Sequence, residues 1–171
     1  MQITIDGKVY DLVPREETTP QTQKTGYERA DFNAMFFTDN AFSKKPSKYT
    51  EESRIYDDTA FENADYYTDE KLAENNIRAD RLLRRLRRFS AIHRENKIDW
   101  ENSNQTKFNI AFDYGNEELW AAGRSTIRDF GGIYFDTEKL ARKAIDKFRD
   151  DLMWYFTEYK DIAEESAEDD D

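Results

Sequence analysis

Five arginines, Arg78, Arg81, Arg84, Arg85 and Arg88, lie within one short stretch, each one or three residues from the next. On a helix turning about 100° per residue this spacing gathers them on one side. A guanidinium is a permanently charged planar fork that matches carboxylates and phosphates, so the chemistry on offer is the recognition of anions. Candidates for catalysis are sparser. His93 is the chain's one histidine, and Glu95 follows two residues later. Such a pair can move a proton, but a lone histidine at a helix end is more often a capping or surface residue. Glu158-Tyr159-Lys160 has the Glu-x-Lys spacing of some metal-dependent nucleases, yet it falls at a helix end and not on a strand beside a second carboxylate. Asp113, Glu117 and Glu118 surround a turn and could hold Mg²⁺, although turn acids are usually just solvated. Gly131-Gly132 lacks the further glycine, the lysine and the helix of a phosphate loop. No catalytic residue, metal set or cofactor is assigned, and the five arginines are the candidate binding residues.

The arginines sit on a helix expected over 68–94. Thr68 is its expected N-cap, with Asp69 and Glu70 in the first turn. Leu72, Ala79, Leu82, Leu83, Leu86 and Phe89 fall on one face; the arginines fall nearly opposite, with Arg87 to one side. Next comes a module over 95–159. Phe108, Ile110, Phe112 and Tyr114 alternate with Asn109, Ala111 and Asp113 in a half-buried strand, Gly115-Asn116 turns, and Glu118–Arg124 returns. Gly132-Ile133-Tyr134-Phe135 is expected as a third strand. Asp136 is then expected to cap a long helix with the stripe Leu140, Ala141, Ala144, Ile145, Phe148, Leu152, Tyr155 or Phe156, and Tyr159. An antiparallel three-stranded sheet and one amphipathic helix, βββα, bury each other's apolar faces. Upstream, residues 1–13 read as a β-hairpin: Ile3 and Ile5 alternate with polar residues, Asp6-Gly7 turns, and Val9–Val13 returns. Residues 14–67 read as a linker followed by an irregular segment rich in rings and acids, with a short helix starting near Thr59 and Glu62 completing a capping box. Its rings either lie on the rest of the fold or order against a partner. Residues 160–171 are expected to be a disordered acidic tail. The fold class is α+β.

The totals bound the rest. Leu, Ile, Val and Phe supply about 19% of the 171 residues, which with a net charge of −11 borders on the disordered class. Aromatic residues at 15% supply the missing core area. With no cysteine and a single histidine, disulfides, thiolate sites and multi-histidine centres are excluded. The start of the chain lacks the basic and apolar blocks of a signal peptide. No apolar run approaches the ~18 residues of a membrane span, so a cytoplasmic protein without a membrane partner is expected. Charge is unevenly spread. Residues 68–107 carry a net charge of +3, while 1–67, 108–159 and 160–171 carry −5, −3 and −6. Three explanations stand for the basic helix. Its arginines pair with acids of the same chain, or meet nucleic acid, or meet an acidic patch on a protein. Overall acidity opposes tight binding to free DNA. The acidic surface and its rings could instead imitate nucleic acid in a basic channel. Composition leaves a homodimer open.

The stretch Phe130-Gly131-Gly132-Ile133-Tyr134-Phe135-Asp136-Thr137-Glu138-Lys139-Leu140-Ala141-Arg142-Lys143-Ala144-Ile145, continued by Phe148–Tyr159, resembles the C-terminal module of small acidic proteins carried by phages and prophages of Gram-positive bacteria. The opening Ile3–Val13 and Ile98-Asp99-Trp100 resemble such proteins as well, and together these stretches cover roughly half the chain. Proteins of this type include accessory proteins of unknown role and some anti-CRISPR inhibitors. The resemblance implies a phage-borne antagonist of host defence in the host bacterial cytoplasm, whose partner is a Cas effector nuclease of the type II class, with or without its guide RNA. An enzyme acting on guide RNA, and a phage regulatory or structural protein with no defence role, are the alternatives. The shared motifs are structural, and no functional residue is carried over from them.

Overall fold

The computed structural model describes residues 2–5, 8–11 and 24–163. Strands β1 (Gln2–Ile5) and β2 (Lys8–Asp11) pair antiparallel, Gln2 opposite Asp11 and Ile5 opposite Lys8, forming the N-terminal hairpin. Its Asp6-Gly7 turn and Leu12-Val13 lie outside the described residues, as does the tail from residue 164. The hairpin is separate from the main unit, Thr25–Glu164, which carries the candidate site.

Residues 27–67 contain a hairpin and a helix. Strand β3 (Met35–Thr38) pairs antiparallel with β4 (Ser47–Thr50), and α1 (Ile55–Glu62) follows. Phe36 points into a cluster with Ala60 and Tyr66, while Phe37 points the other way, against Tyr67, Leu72, Ala73 and Ile77. With both faces buried, β3 carries a continuous apolar run in place of alternation. Helix α1 starts four residues before the expected Thr59 because Asp57 organises its entry, accepting the backbone N–H groups of Glu52 and Arg54 at 2.9 and 3.0 Å. Phe36, Phe37, Tyr66 and Tyr67 are buried; Tyr27, Tyr49, Tyr56 and Phe61 are partly exposed but pack against other rings of the stretch, and Phe32 and Phe42 are the most exposed.

Helix α2 (Glu70–His93) links two parts of the core. Its N-terminal half packs under β3 through Leu72, Ala73 and Ile77. Its C-terminal half, through Leu82 and Leu86, joins Leu119, Ala121, Phe135 and the apolar stripe of α3 (Glu138–Thr157). The N-cap is Asp69, one residue after the expected Thr68: its carboxylate accepts Leu72 N–H at 2.6 Å, while Thr68 N–H donates to the Gly26 carbonyl.

Strands β5 (Lys107–Asp113) and β6 (Glu118–Arg124) form the expected antiparallel pair, Lys107 opposite Arg124 and Asp113 opposite Glu118. The expected third strand is not formed. Only Phe135 bridges to β5, opposite Phe108. Other bonds claim Tyr134: its carbonyl accepts from Ser90 Oγ of α2 at 2.5 Å, and its hydroxyl accepts from Asp129 N–H at 2.7 Å. The expected cap of α3 also shifts by one residue. Thr137 Oγ1 accepts Leu140 N–H at 3.2 Å, whereas Asp136 turns toward the end of α2 and accepts the backbone N–H groups of Glu95 and Asn96 at 2.9 and 2.8 Å. Among the described residues the protein is therefore α+β with three helices, and its sheets have two strands each.

Candidate anion-binding face of the arginine helix

The apolar stripe of α2 is buried on both core clusters, which directs the arginine side outward and toward two aspartates brought in by other elements. Asp39 follows β3, its own N–H bound to Asp65 Oδ1 at 2.7 Å. Its carboxylate takes Arg81 at 2.7 Å on one oxygen and Arg84 at 3.1 Å on the other, and Arg81 also donates to the Asn40 carbonyl at 2.8 Å. Asp151 of α3 does the same for Arg78 at 3.3 Å and Arg85 at 2.7 Å. Two rings of α3 complete the seating: Arg78 lies 3.9 Å above the centre of Trp154, and Arg85 lies 4.9 Å above that of Phe148. The fifth arginine, Arg88, is exposed and has no carboxylate partner among the described residues.

All five predicted residues therefore lie along one face, and four are paired within the chain, as the first of the three explanations expects. The pairing does not neutralise them. Direct ion pairs supply two carboxylates for five guanidiniums, with Asp65 near enough to act on Arg84, and the side chains of Arg78, Arg84 and Arg85 are still about half exposed, at 46, 56 and 49%. The ion pairs and rings hold the forks in fixed directions, which lowers the entropy lost when a ligand engages them.

Sequence reasoning missed three lysines that extend this face. Lys139, Lys143 and Lys147 of α3 are exposed and recur every fourth residue, a spacing that places them along one side of the helix. Between α2 and α3 lies a groove of about 390 Å³ lined by Arg85, Arg88, Phe89, Ile92, His93, Lys147 and Phe148. It adjoins a depression of about 280 Å³ that shares Phe89 and His93 and adds Lys139 and Lys143, with Glu95 and Asp136 on its wall.

The catalytic candidates do not assemble. His93 packs edge-on against Phe89, with ring centres 4.5 Å apart. Glu95 is engaged there only through its backbone N–H, on Asp136. Asp113 closes the β5–β6 turn by accepting the N–H groups of Gly115 and Asn116 and the Asn116 amide. The Asn116 amide, then the backbone N–H groups, hold its carboxyl below the usual carboxylate range. Glu158 ends α3, and no group of acids and histidine among the described residues is arranged to hold a metal ion. Gly131-Gly132 forms a turn, with Gly132 N–H on the Asp129 carbonyl.

No family model, curated protein or solved structure matches this chain. The face must be read from its own chemistry. Permanently charged forks seated on rings suit phosphates or carboxylates.

Proposed function

We propose that this chain is a phage-encoded anti-CRISPR protein that works by binding. It grips an RNA-guided Cas effector nuclease of the type II class in the host bacterial cytoplasm and blocks engagement of guide RNA or target DNA. The observation that carries the reading is the exposed basic face of α2: a protein of net charge −11 holds a row of five arginines that share only two carboxylates in direct ion pairs among the described residues. Crowded like charges repel one another, and an anionic partner relieves that repulsion. The resemblance to phage-borne antagonists supplies the type of partner. Acidic surface elsewhere suits the basic channels of a nuclease and would speed association.

The test is co-purification of the tagged protein with a type II effector, with and without guide RNA, while target-DNA cleavage is followed across a range of inhibitor ratios. Retention is expected, with cleavage lost as the protein approaches equimolar amounts. Loss at a small fraction of that amount would replace the binder by an enzyme acting on guide RNA. No retention with undiminished cleavage would remove the nuclease as partner. The informative variant is Arg84→Glu with Arg88→Glu, because one side chain is the most exposed of the paired arginines and the other has no carboxylate partner among the described residues. Reversing Arg81 would set two acids face to face at Asp39 and confound contact with folding.

A further inference from the structure

We propose that the groove between the C-terminal half of α2 and the N-terminal half of α3 seats the sugar–phosphate backbone of single-stranded RNA. The inference deepens the reading above and rests on its claim that α2 is a contact surface, but its test needs no nuclease. Lys139, Lys143 and Lys147 form one wall, stepping about 6 Å along α3 at each interval of four residues, which is close to the separation of successive phosphates along an extended strand. Arg88 and His93 of α2 form the other wall. Arg88, Lys139 and Lys143 have no carboxylate partner among the described residues, and the Lys147 ammonium rests over Phe89 and Phe148, at 5.3 and 5.9 Å from their ring centres.

Among the described residues, the acids lining this surface are Glu95 and Asp136; Asp146 and Asp150 of α3 are exposed one turn from Lys143 and Lys147 and are not part of the lining. Asp151 is already shared by Arg78 and Arg85, and Asp136 is buried with one carboxylate oxygen on the Glu95 and Asn96 amides. Glu95 is left on the rim. Evenly stepped cations match a phosphodiester chain, whose charges are evenly spaced, better than an acidic peptide, whose carboxylates alternate between faces and hang on flexible stems. The apolar floor adds to the match. Phe89 and Phe148 underlie the groove, and Ile92, 66% exposed, offers a surface for a ribose or base.

The experiment is fluorescence anisotropy of a labelled twelve-nucleotide oligouridylate titrated with the full chain, at about 50 and about 200 mM salt. Four neutralised phosphates predict an affinity about 50-fold weaker at the higher salt. Lys139→Gln with Lys143→Gln should weaken binding at low salt by at least about tenfold and lower the salt slope by about 1.4. Lys160→Gln, on the far side of α3's end, should change neither; circular dichroism and melting establish that each variant is folded. Absence of binding, or binding indifferent to the lysine pair, overturns the groove. Tighter binding of oligodeoxyuridylate or of polyglutamate of equal charge overturns RNA as the occupant. Because this readout contains no effector, a failed groove and a failed nuclease reading give separate results.

Discussion

The contact between Asp39 and Arg81 measures how far the arginine row belongs to the fold and how far to a partner. Each of the two side chains is 26% exposed, and they meet at 2.7 Å. A fully exposed pair is worth roughly 0.2–1 kcal/mol, and a hydrogen bond between charged groups shielded from water roughly 1.5–3 kcal/mol. A pair three-quarters buried should fall between these, with a coupling of about 1–1.5 kcal/mol. The half-exposed Arg84, 3.1 Å from the other oxygen, should add about 0.5 kcal/mol. Asp39→Asn removes both partners and should cost about 2 kcal/mol, lowering the melting temperature by about 4–8 °C for a chain of this length. A double-mutant cycle of Asp39→Asn and Arg81→Gln by urea denaturation isolates the first contribution. A coupling below about 0.3 kcal/mol would refute this reasoning. Arg81 would then be as free for an outside ligand as Arg88.

Two further outcomes follow from buried groups away from the groove. Glu51, 2% exposed, accepts two bonds from Arg29 and one each from Tyr66 Oη and Ser53 N–H, and Arg29 foremost holds its carboxyl down to about 2. Since its folded value lies below the unfolded ~4.3, its stabilisation is complete above that value and is lost as pH falls toward about 2. Glu51→Gln should cost about 2–3 kcal/mol at pH near 7, below the usual loss for a broken buried pair because Arg29 keeps Asp58 at 2.7 Å. It should also flatten the acid limb of stability between those values, and an unchanged limb in urea titrations would refute the assignment. Gly26, at φ +88°, would set an added Cβ 2.6 Å from Leu72 Cδ2, whereas Gly131, at φ +73°, has open space. Both alanine variants lose about 1–2 kcal/mol to the left-handed backbone. Gly26→Ala should melt lower than Gly131→Ala, and equal melting would remove the close packing from the argument.

Much of this protein could be read along the chain. The 3.6-residue stripe of α2, the alternation of Phe108, Ile110, Phe112 and Tyr114, and the apolar positions of α3 from Leu140 to Leu152 are local patterns, and each element formed where its pattern lies. The gathering of five arginines on one helical side is equally local. What the chain did not disclose depends on contacts between residues far apart. Strand β3 hides its period because Phe36 and Phe37 are buried by different clusters on opposite faces. Tyr134 leaves the sheet for a hydroxyl of α2, and Asp136 leaves its helix for amides 40 and 41 residues away. Likewise, no sequence spacing links Asp39 and Asp151 to the arginines they hold, or brings the lysines of α3 opposite Arg88. Periodicity determined which residues share a face. Tertiary packing decided which charges were neutralised and which were left exposed, because a side chain's electrostatic environment is set by neighbours in space.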